Sequence, residues 1–530
     1  MGMVTGVNPI LPGFYPDPSI CAVGDDYYLV HSTFSYFPGI PIMHSRDLVH
    51  WEQIGNVMDR QSQLPLNGGE HSQGLYAPAI RYHEGIFYVI CTNETEGGNF
   101  IVTAENPAGP WSEPAYLQGA DGIDPTIFFD DDGKVYYIGT HPIIENRQYD
   151  GECHIWIQEL DLEHRRLTGK PKDVWSGSMH FVHWPEGPHL YKKEGYYYMM
   201  LAEGGTERNH SVTMCRSRNI WGPYENHFCN PILTHRHLGK DYPVQCVGHG
   251  DFVKTPSGEW YMVMLASRPI DGYTMLGRET FLAKVVWENG WPVVNPGMGR
   301  LTEKVEVGLT EWEPEKPAAV CKRIYHFREM KELGYEFLYL RNPDRQMYCL
   351  CPDKGLKLRY GTHTLMEKAS PTYVGIRQQH HYFRADTVVM TDSIFQDCEA
   401  GIALLQSNAY YLRSALTKGT DSEIILQAYL CYNLEEKLIA QKVLTGAQDE
   451  IRMSLEVNGL TAKIEAVCDA VEISVARDID IRSLSTEVAG GFVGCTVGMY
   501  ALSKKQTKNE VILKEFSYQS TKCCCGVALR

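Results

Sequence analysis

The sequence predicts an all-β protein, a five-bladed β-propeller followed by a β-sandwich, and three observations carry that prediction. One unit recurs five times in the first three hundred or so residues: a polar or acidic lead-in, an apolar stretch, a tight turn and an aromatic strand. Its period, roughly 45–60 residues, is close to the 40–50 of propeller blades. From about residue 320 that unit gives way to strand-length runs separated by turns, the pattern of a sandwich.

The lead-ins are Asp17-Pro18, Ala77-Pro78, Asp124-Pro125, Glu186-Gly187-Pro188 and His249-Gly250-Asp251. Each is followed by a turn and an aromatic run, as in Glu84-Gly85-Ile86-Phe87-Tyr88-Val89 and Glu194-Gly195-Tyr196-Tyr197-Tyr198-Met199. Glycine after an acidic residue is a hairpin signal, because it reaches the positive φ of the turn without steric cost. Further along some units come turn-plus-aromatic elements: Arg46-Asp47-Leu48-Val49-His50-Trp51, Pro107-Ala108-Gly109-Pro110-Trp111 and Ile220-Trp221-Gly222-Pro223-Tyr224. Large rings there read as packing between outer strands. The unit fades after Trp291-Pro292-Val293-Val294-Asn295-Pro296, and Glu311-Trp312-Glu313-Pro314-Glu315-Lys316-Pro317 reads as a linker. We therefore expect a propeller over 1–315 and a sandwich over 316–530. Expected sandwich strands include Tyr335–Leu340, Gly401–Leu405, Glu423–Tyr429, Ile451–Val457 and Val511–Phe516.

Composition excludes several partners. The formal charge of −16 has the wrong sign for nucleic acid or an anionic membrane, and no apolar run approaches a bilayer span. A neutral substrate fits better. The N-terminus shows no basic start followed by an apolar core, so no signal peptide is visible and a cytoplasmic location is expected. Sixteen cysteines, mostly scattered singly, read as buried reduced thiols. The terminal Cys523-Cys524-Cys525 triplet lacks the second ligand pair of a zinc site.

A propeller brings the same part of every blade to one axis, so the five lead-ins should converge. Three of them are carboxylates: Asp17, Asp124 and Glu186. Breaking a glycosidic bond needs an acid for the leaving oxygen and a carboxylate on the opposite face. Asp17, between Pro16 and Pro18, has a stiff mount suited to a general base. Glu186, in His183-Trp184-Pro185-Glu186-Gly187-Pro188, has aromatic neighbours whose desolvation should raise its pKa, as an acid requires. Asp124, in Gly122-Ile123-Asp124-Pro125, would raise and orient that acid. A single Asp-Pro usually only starts a turn; three equivalent carboxylates on one axis point to chemistry.

These residues resemble glycoside hydrolase family 43. The resemblance runs from Asn8-Pro9-Ile10-Leu11-Pro12-Gly13-Phe14-Tyr15-Pro16-Asp17-Pro18-Ser19 through Ser32-Thr33-Phe34, Tyr76-Ala77-Pro78, Ile123-Asp124-Pro125, Pro185-Glu186-Gly187-Pro188 and Gly248-His249-Gly250-Asp251 to Leu276-Gly277-Arg278-Glu279-Thr280-Phe281. It implies an inverting, exo-acting hydrolase of pentose-containing oligosaccharides, β-xylosidase, α-L-arabinofuranosidase or both. Asp17 would be the base, Glu186 the acid and Asp124 its modulator. Arg278 is similar to the family's inner arginine, and Phe34 and Tyr76 to walls of the terminal sugar subsite. The resemblance makes His249 a channel residue and a candidate calcium ligand, with no cofactor otherwise required. It also implies a C-terminal concanavalin A-like sandwich, carried by Ser370-Pro371-Thr372-Tyr373-Val374-Gly375-Ile376-Arg377-Gln378-Gln379 and Gly491-Phe492-Val493-Gly494, with Phe492 a candidate to reach over the pocket. A homo-oligomer is compatible with it.

One departure bears on substrate. Where β-xylosidases of the family show Trp-Ala-Pro and an acidic residue, this chain has Tyr76-Ala77-Pro78-Ala79, which weakens the case for strict xyloside specificity. Two alternatives remain open at this point. A retaining, invertase-type hydrolase would show Asn-Asp-Pro-Asn-Gly in the first blade, where this chain has Tyr15-Pro16-Asp17-Pro18-Ser19. A non-catalytic sugar-binding propeller would not need an acid and a base together.

Overall fold

The structure, a computed structural model, describes residues 2–420, 423–444, 449–468 and 471–522. The Cys523–Cys525 triplet lies outside the described residues.

Five four-stranded antiparallel sheets follow one another along the chain. Their first strands are Ser19–Val23, Ala79–His83, Ile123–Phe129, Glu186–Lys193 and Gln245–Lys254. Each of these packs against the corresponding strand of the next sheet, and the fifth returns to the first, so they form a closed ring around an axis. The aromatic runs are the second strands, such as Ile86–Asn93 and Tyr196–Glu203, paired to the first by the acidic-glycine turns. Closure uses the N-terminus. Val4–Val7 pairs with Lys304–Val307, and the Asn8 side chain bonds both backbone groups of its neighbours in blade 5, donating to the Leu282 carbonyl and accepting from its amide.

The turn-plus-aromatic elements do pack inward. Trp51 and Trp111 are buried, and each indole N–H donates back to its own turn, to the carbonyls of Leu48 and Pro107. The expected linker is strapped down: Trp312 N–H donates to Asp47, its ring meets His44 edge-on at 5.1 Å, and Ala318 N–H bonds the Trp51 carbonyl. Eight free cysteines are buried, whereas Cys229 and Cys349 are exposed, so the thiols are not uniformly interior.

The second unit begins at Lys322–His326. Among the described residues it has an eight-stranded and a six-stranded antiparallel sheet, with inward residues such as Val389, Leu455, Ile402, Leu404 and Met499 in one apolar core. Three expected strands fall within Cys398–Ser407, Glu450–Asn458 and Glu510–Ser520, and the expected Glu423–Tyr429 matches Ile424–Tyr432 except at its first residue. The fifth is corrected: of Tyr335–Leu340 only Tyr339–Leu340 is strand. That pair leaves the sandwich to bond Tyr36–Phe37 of the propeller, so the run is spent bridging the two units.

Candidate active site

The inner strands do not run straight through the axis. The ladder slips between Ile123 and Thr126, between Glu186 and His189, and around His249. These bulges fall on the candidate residues, and a bulge re-aims a side chain that a regular strand would send to a sheet face. Pro125 and Pro188 sit inside two of them, where an absent N–H leaves no ladder bond unmade. Asp17, Asp124 and His249 share the left-handed backbone region, with φ of 53°, 52° and 46°. Non-glycine residues held there cost free energy, and such strain concentrates at functional sites.

Asp124 and Glu186 both lie close enough to Asp17 to respond to its charge. Asp17 is buried, and Arg278 grips both its oxygens at 2.8 and 3.4 Å, while the Ser32 hydroxyl donates to it. Burial alone would raise its pKa. The Arg278 charge, then His249, Ser32 and His210, outweigh burial and hold Asp17 below its usual range, so it stays ionised. Glu186 goes the other way: burial first and the Asp17 charge second push it up to about 7. Asp124 is also raised well above the ordinary carboxylate value, by burial, then by Glu186 and Asp17, against the Arg278 charge and a bond from the Ala77 amide. Both Asp124 and Glu186 are thus raised while Asp17 stays an anion.

His249 is buried between the two ends of this arrangement. Its Nδ1 lies 3.8 Å from Asp17, and its ring covers Gly187, where a Cβ would come within 2.9 Å of the imidazole. A second ring, His210, lies against Gly248, where a Cβ would sit 2.3 Å away, so only glycine fits there. Asp251 has one oxygen bonded by Tyr191 and the other by Ser19, the Ile20 amide and the Arg81 guanidinium at 2.9 Å. Arg81 also reaches His189 Nδ1 at 2.7 Å. Among the described residues, no group of three or more His, Cys, Asp or Glu side chains is arranged for a metal.

The mouth is aromatic. Phe34 stacks on Phe492 at 5.8 Å, and Tyr76 meets both edge-on at 5.6 and 6.0 Å. Arg278 lies over the Phe34 and Phe492 rings and also donates to the Thr206 hydroxyl. Phe492 arrives from the sandwich on a loop held at both sides. Its own amide bonds Ser72, while Cys495 N–H bonds the Met275 carbonyl and Glu487 takes two bonds from Thr274. The loop can dock because Gly494 meets Gly277: a Cβ on Gly494 would fall 2.3 Å from the Leu276 carbonyl.

A model of glycosyl hydrolases family 43 matches residues 7–292, and one of the β-xylosidase C-terminal concanavalin A-like domain matches 325–519. The chain belongs to glycosyl hydrolase family 43. It is a glycosidase. A xylosidase/arabinosidase of Butyrivibrio fibrisolvens is 47% identical to this family 43 enzyme over 97% of the chain and 99% of that protein. A non-reducing end α-L-arabinofuranosidase of Bacteroides ovatus is 36% identical over 94% and 92%. Among solved structures, a xylan β-1,4-xylosidase from Bacillus halodurans superposes with a TM-score of 0.89 at 33% identity, over 97% of this chain and all of that one.

All eight residues singled out from the sequence lie in this centre or at its mouth. Sequence reasoning missed Ser32, Thr206, His210 and the Arg81–Asp251 pair. Ser32 and Asp251 stood inside motifs already recognised. Arg81 carried no signal, because an arginine on a strand usually points to solvent.

Proposed function

We propose that this family 43 enzyme releases single terminal pentoses from the non-reducing ends of oligosaccharides by an inverting mechanism, acting on both β-D-xylosides and α-L-arabinofuranosides. Asp17 is the base that activates water. Glu186 is the acid that protonates the leaving oxygen, and Asp124 tunes and positions that acid. The observation carrying this reading is the opposite displacement of two carboxyls in one centre: Asp17 held ionised by Arg278, Glu186 raised to about 7. Environments that separate two pKa values in this way assign base and acid.

Inversion requires the two groups on opposite faces of the sugar with a water between base and anomeric carbon. Arg278 keeps Asp17 from taking the proton it must accept only at the transition state, and positions it against Thr206 and the mouth. The lid of Phe492 over Phe34 and Tyr76 supports exo action, since a covered pocket admits a chain end and not a chain middle. Tyr76 and Ala79 in place of the bulkier, acidic pattern favour accepting a furanose beside a pyranose, in line with the dual name of the Butyrivibrio relative. No metal enters this reading.

The test is to assay nitrophenyl β-D-xyloside and α-L-arabinofuranoside side by side and follow the first-formed anomer by NMR. Both substrates should turn over, with inverted configuration. Retention would overturn the roles of Asp17 and Glu186. Turnover of only one substrate would overturn the dual specificity.

A further inference from the structure

Beside the acid lies an aromatic surface that the reaction described above does not use. Trp184, two residues before Glu186, is 42% exposed, and Phe181 is 48% exposed. Both are held at positive φ, 47° and 55°, an outlier conformation for large side chains. Tyr149 comes from the preceding blade, 5.0 Å from Phe181 and 6.0 Å from His183, and His183 meets Trp184 at 5.4 Å. The rings form one connected cluster across blades 3 and 4, exposed at Phe181, His183 and Trp184 and half-buried at Tyr149.

The patch is rigidly mounted. The Trp184 amide bonds the Gly151 carbonyl, and the Gly204 amide bonds the His183 carbonyl. The indole is wedged between Gly151 and Gly205, where a Cβ would approach it to 2.9 and 2.7 Å. Further back, the buried Glu203 takes bonds from Trp175 and from the amide and hydroxyl of Ser178, pinning the start of the segment. Exposed aromatic side chains in strained, pre-organised positions mark recognition surfaces.

Its place relative to the chemistry says what it recognises. Gly205 precedes Thr206, the residue bonded by Arg278, so the indole spans from the acid's own strand to the support of the base. Phe34, Tyr76 and Phe492 pack against one another as a separate group of rings. The group that Glu186 protonates must depart past the acid. We propose that Trp184, extended by Phe181 and Tyr149, is a stacking platform for the sugar residues on the leaving side of the scissile bond, so that the enzyme recognises an oligosaccharide and not only its terminal pentose. An aromatic face suits the C–H face of a sugar ring, while the hydroxyls stay in water. The inference rests on Glu186 being the acid.

The experiment compares kcat/KM along a series of pentosides: a pentosyl fluoride, whose leaving group is one atom, then the di-, tri- and tetrasaccharide. In the wild type, kcat/KM should rise with each added sugar that reaches the platform. Trp184→Ala should lower the tetrasaccharide-to-fluoride ratio by about tenfold, mainly through KM, and Trp184→Phe should restore most of it. Phe181→Ala should affect the longer substrates only. An unchanged ratio in Trp184→Ala, with both substrates losing equally, would overturn the platform and leave the residue a support for Glu186. Sedimentation of the same variants tests a rival occupant: an unchanged ratio together with a smaller assembly would make the patch a self-association face and also overturn the proposal. A wild type that hydrolyses none of the series would instead refute the proposed reaction.

Discussion

Arg278→Met tests the electrostatic core of the mechanism, because removing one charge must move two pKa values in the same direction. Arg278 lowers Asp17 through a two-pronged contact at 2.8 and 3.4 Å, and it also lowers Glu186. Two unit charges about 4 Å apart interact by about 4 kcal/mol at an effective dielectric near 20. At 1.36 kcal/mol per pH unit this caps the change at roughly 3 pH units, and an aspartate freed from a contacting arginine rises by on the order of 1–3. Activity requires Asp17 ionised, so the enzyme works above the Asp17 pKa; it requires the acid protonated, so it works below the Glu186 value of about 7. The wild-type profile of kcat/KM should therefore fall on the basic side near pH 7, with an acid limb below the usual aspartate range. In Arg278→Met both limbs should climb, the acid limb by more, and the whole window should slide to higher pH. The assay is kcat/KM from about pH 3 to 10 on one nitrophenyl pentoside, reading the position of the limbs and not the height of the curve. A stationary acid limb, or limbs that move in opposite directions, would refute the reasoning.

Asp17→Asn should abolish hydrolysis and still bind free pentose, measured by calorimetry; undiminished turnover would remove Asp17 from the mechanism. Glu186→Gln should stabilise the fold at high pH. A carboxyl displaced from 4.5 to about 7 contributes stability below pH 4.5 that is lost as pH rises to 7, about 3 kcal/mol in all. The variant should therefore melt several degrees above wild type at pH 8 and match it near pH 4 in calorimetric scans. Gly494→Ala places a Cβ 2.3 Å from the Leu276 carbonyl, so the loop must move, at a cost of ~1–3 kcal/mol. Its KM for pentosides should rise with the displacement of Phe492, and unchanged KM would mean the lid does not contact substrate.

The chemistry of the centre was legible in the sequence because each blade is a local unit. Hairpin turns such as Glu84-Gly85 and Glu194-Gly195 are set by neighbouring residues, and repetition of the unit told how many there were and which positions were equivalent. Equivalence placed Asp17, Asp124 and Glu186 together without any knowledge of distances. The stretch Glu311-Trp312-Glu313-Pro314-Glu315-Lys316-Pro317 stood out as a change of pattern, but not as a strap, since its bond to Asp47 joins residues 265 apart. Tyr335–Leu340 misled for a related reason: its β-forming composition matched a sandwich strand, and its last two residues pair with the propeller instead.

The sequence by itself determined the blade unit, its fivefold repetition, the change to a sandwich and the identity of the carboxyls, because these depend on side-chain type and on spacing within a few residues. Tertiary structure alone supplied the cause that keeps Asp17 ionised, since Arg278 reaches it across 261 residues, and the depth at which each carboxyl is buried. It alone also set the bulges that aim these groups, the lid that Gly494 lets down beside Gly277, and the ion pair of Arg81 with Asp251. Electrostatic and steric forces act through space, and closing the ring makes near neighbours of residues that are remote along the chain.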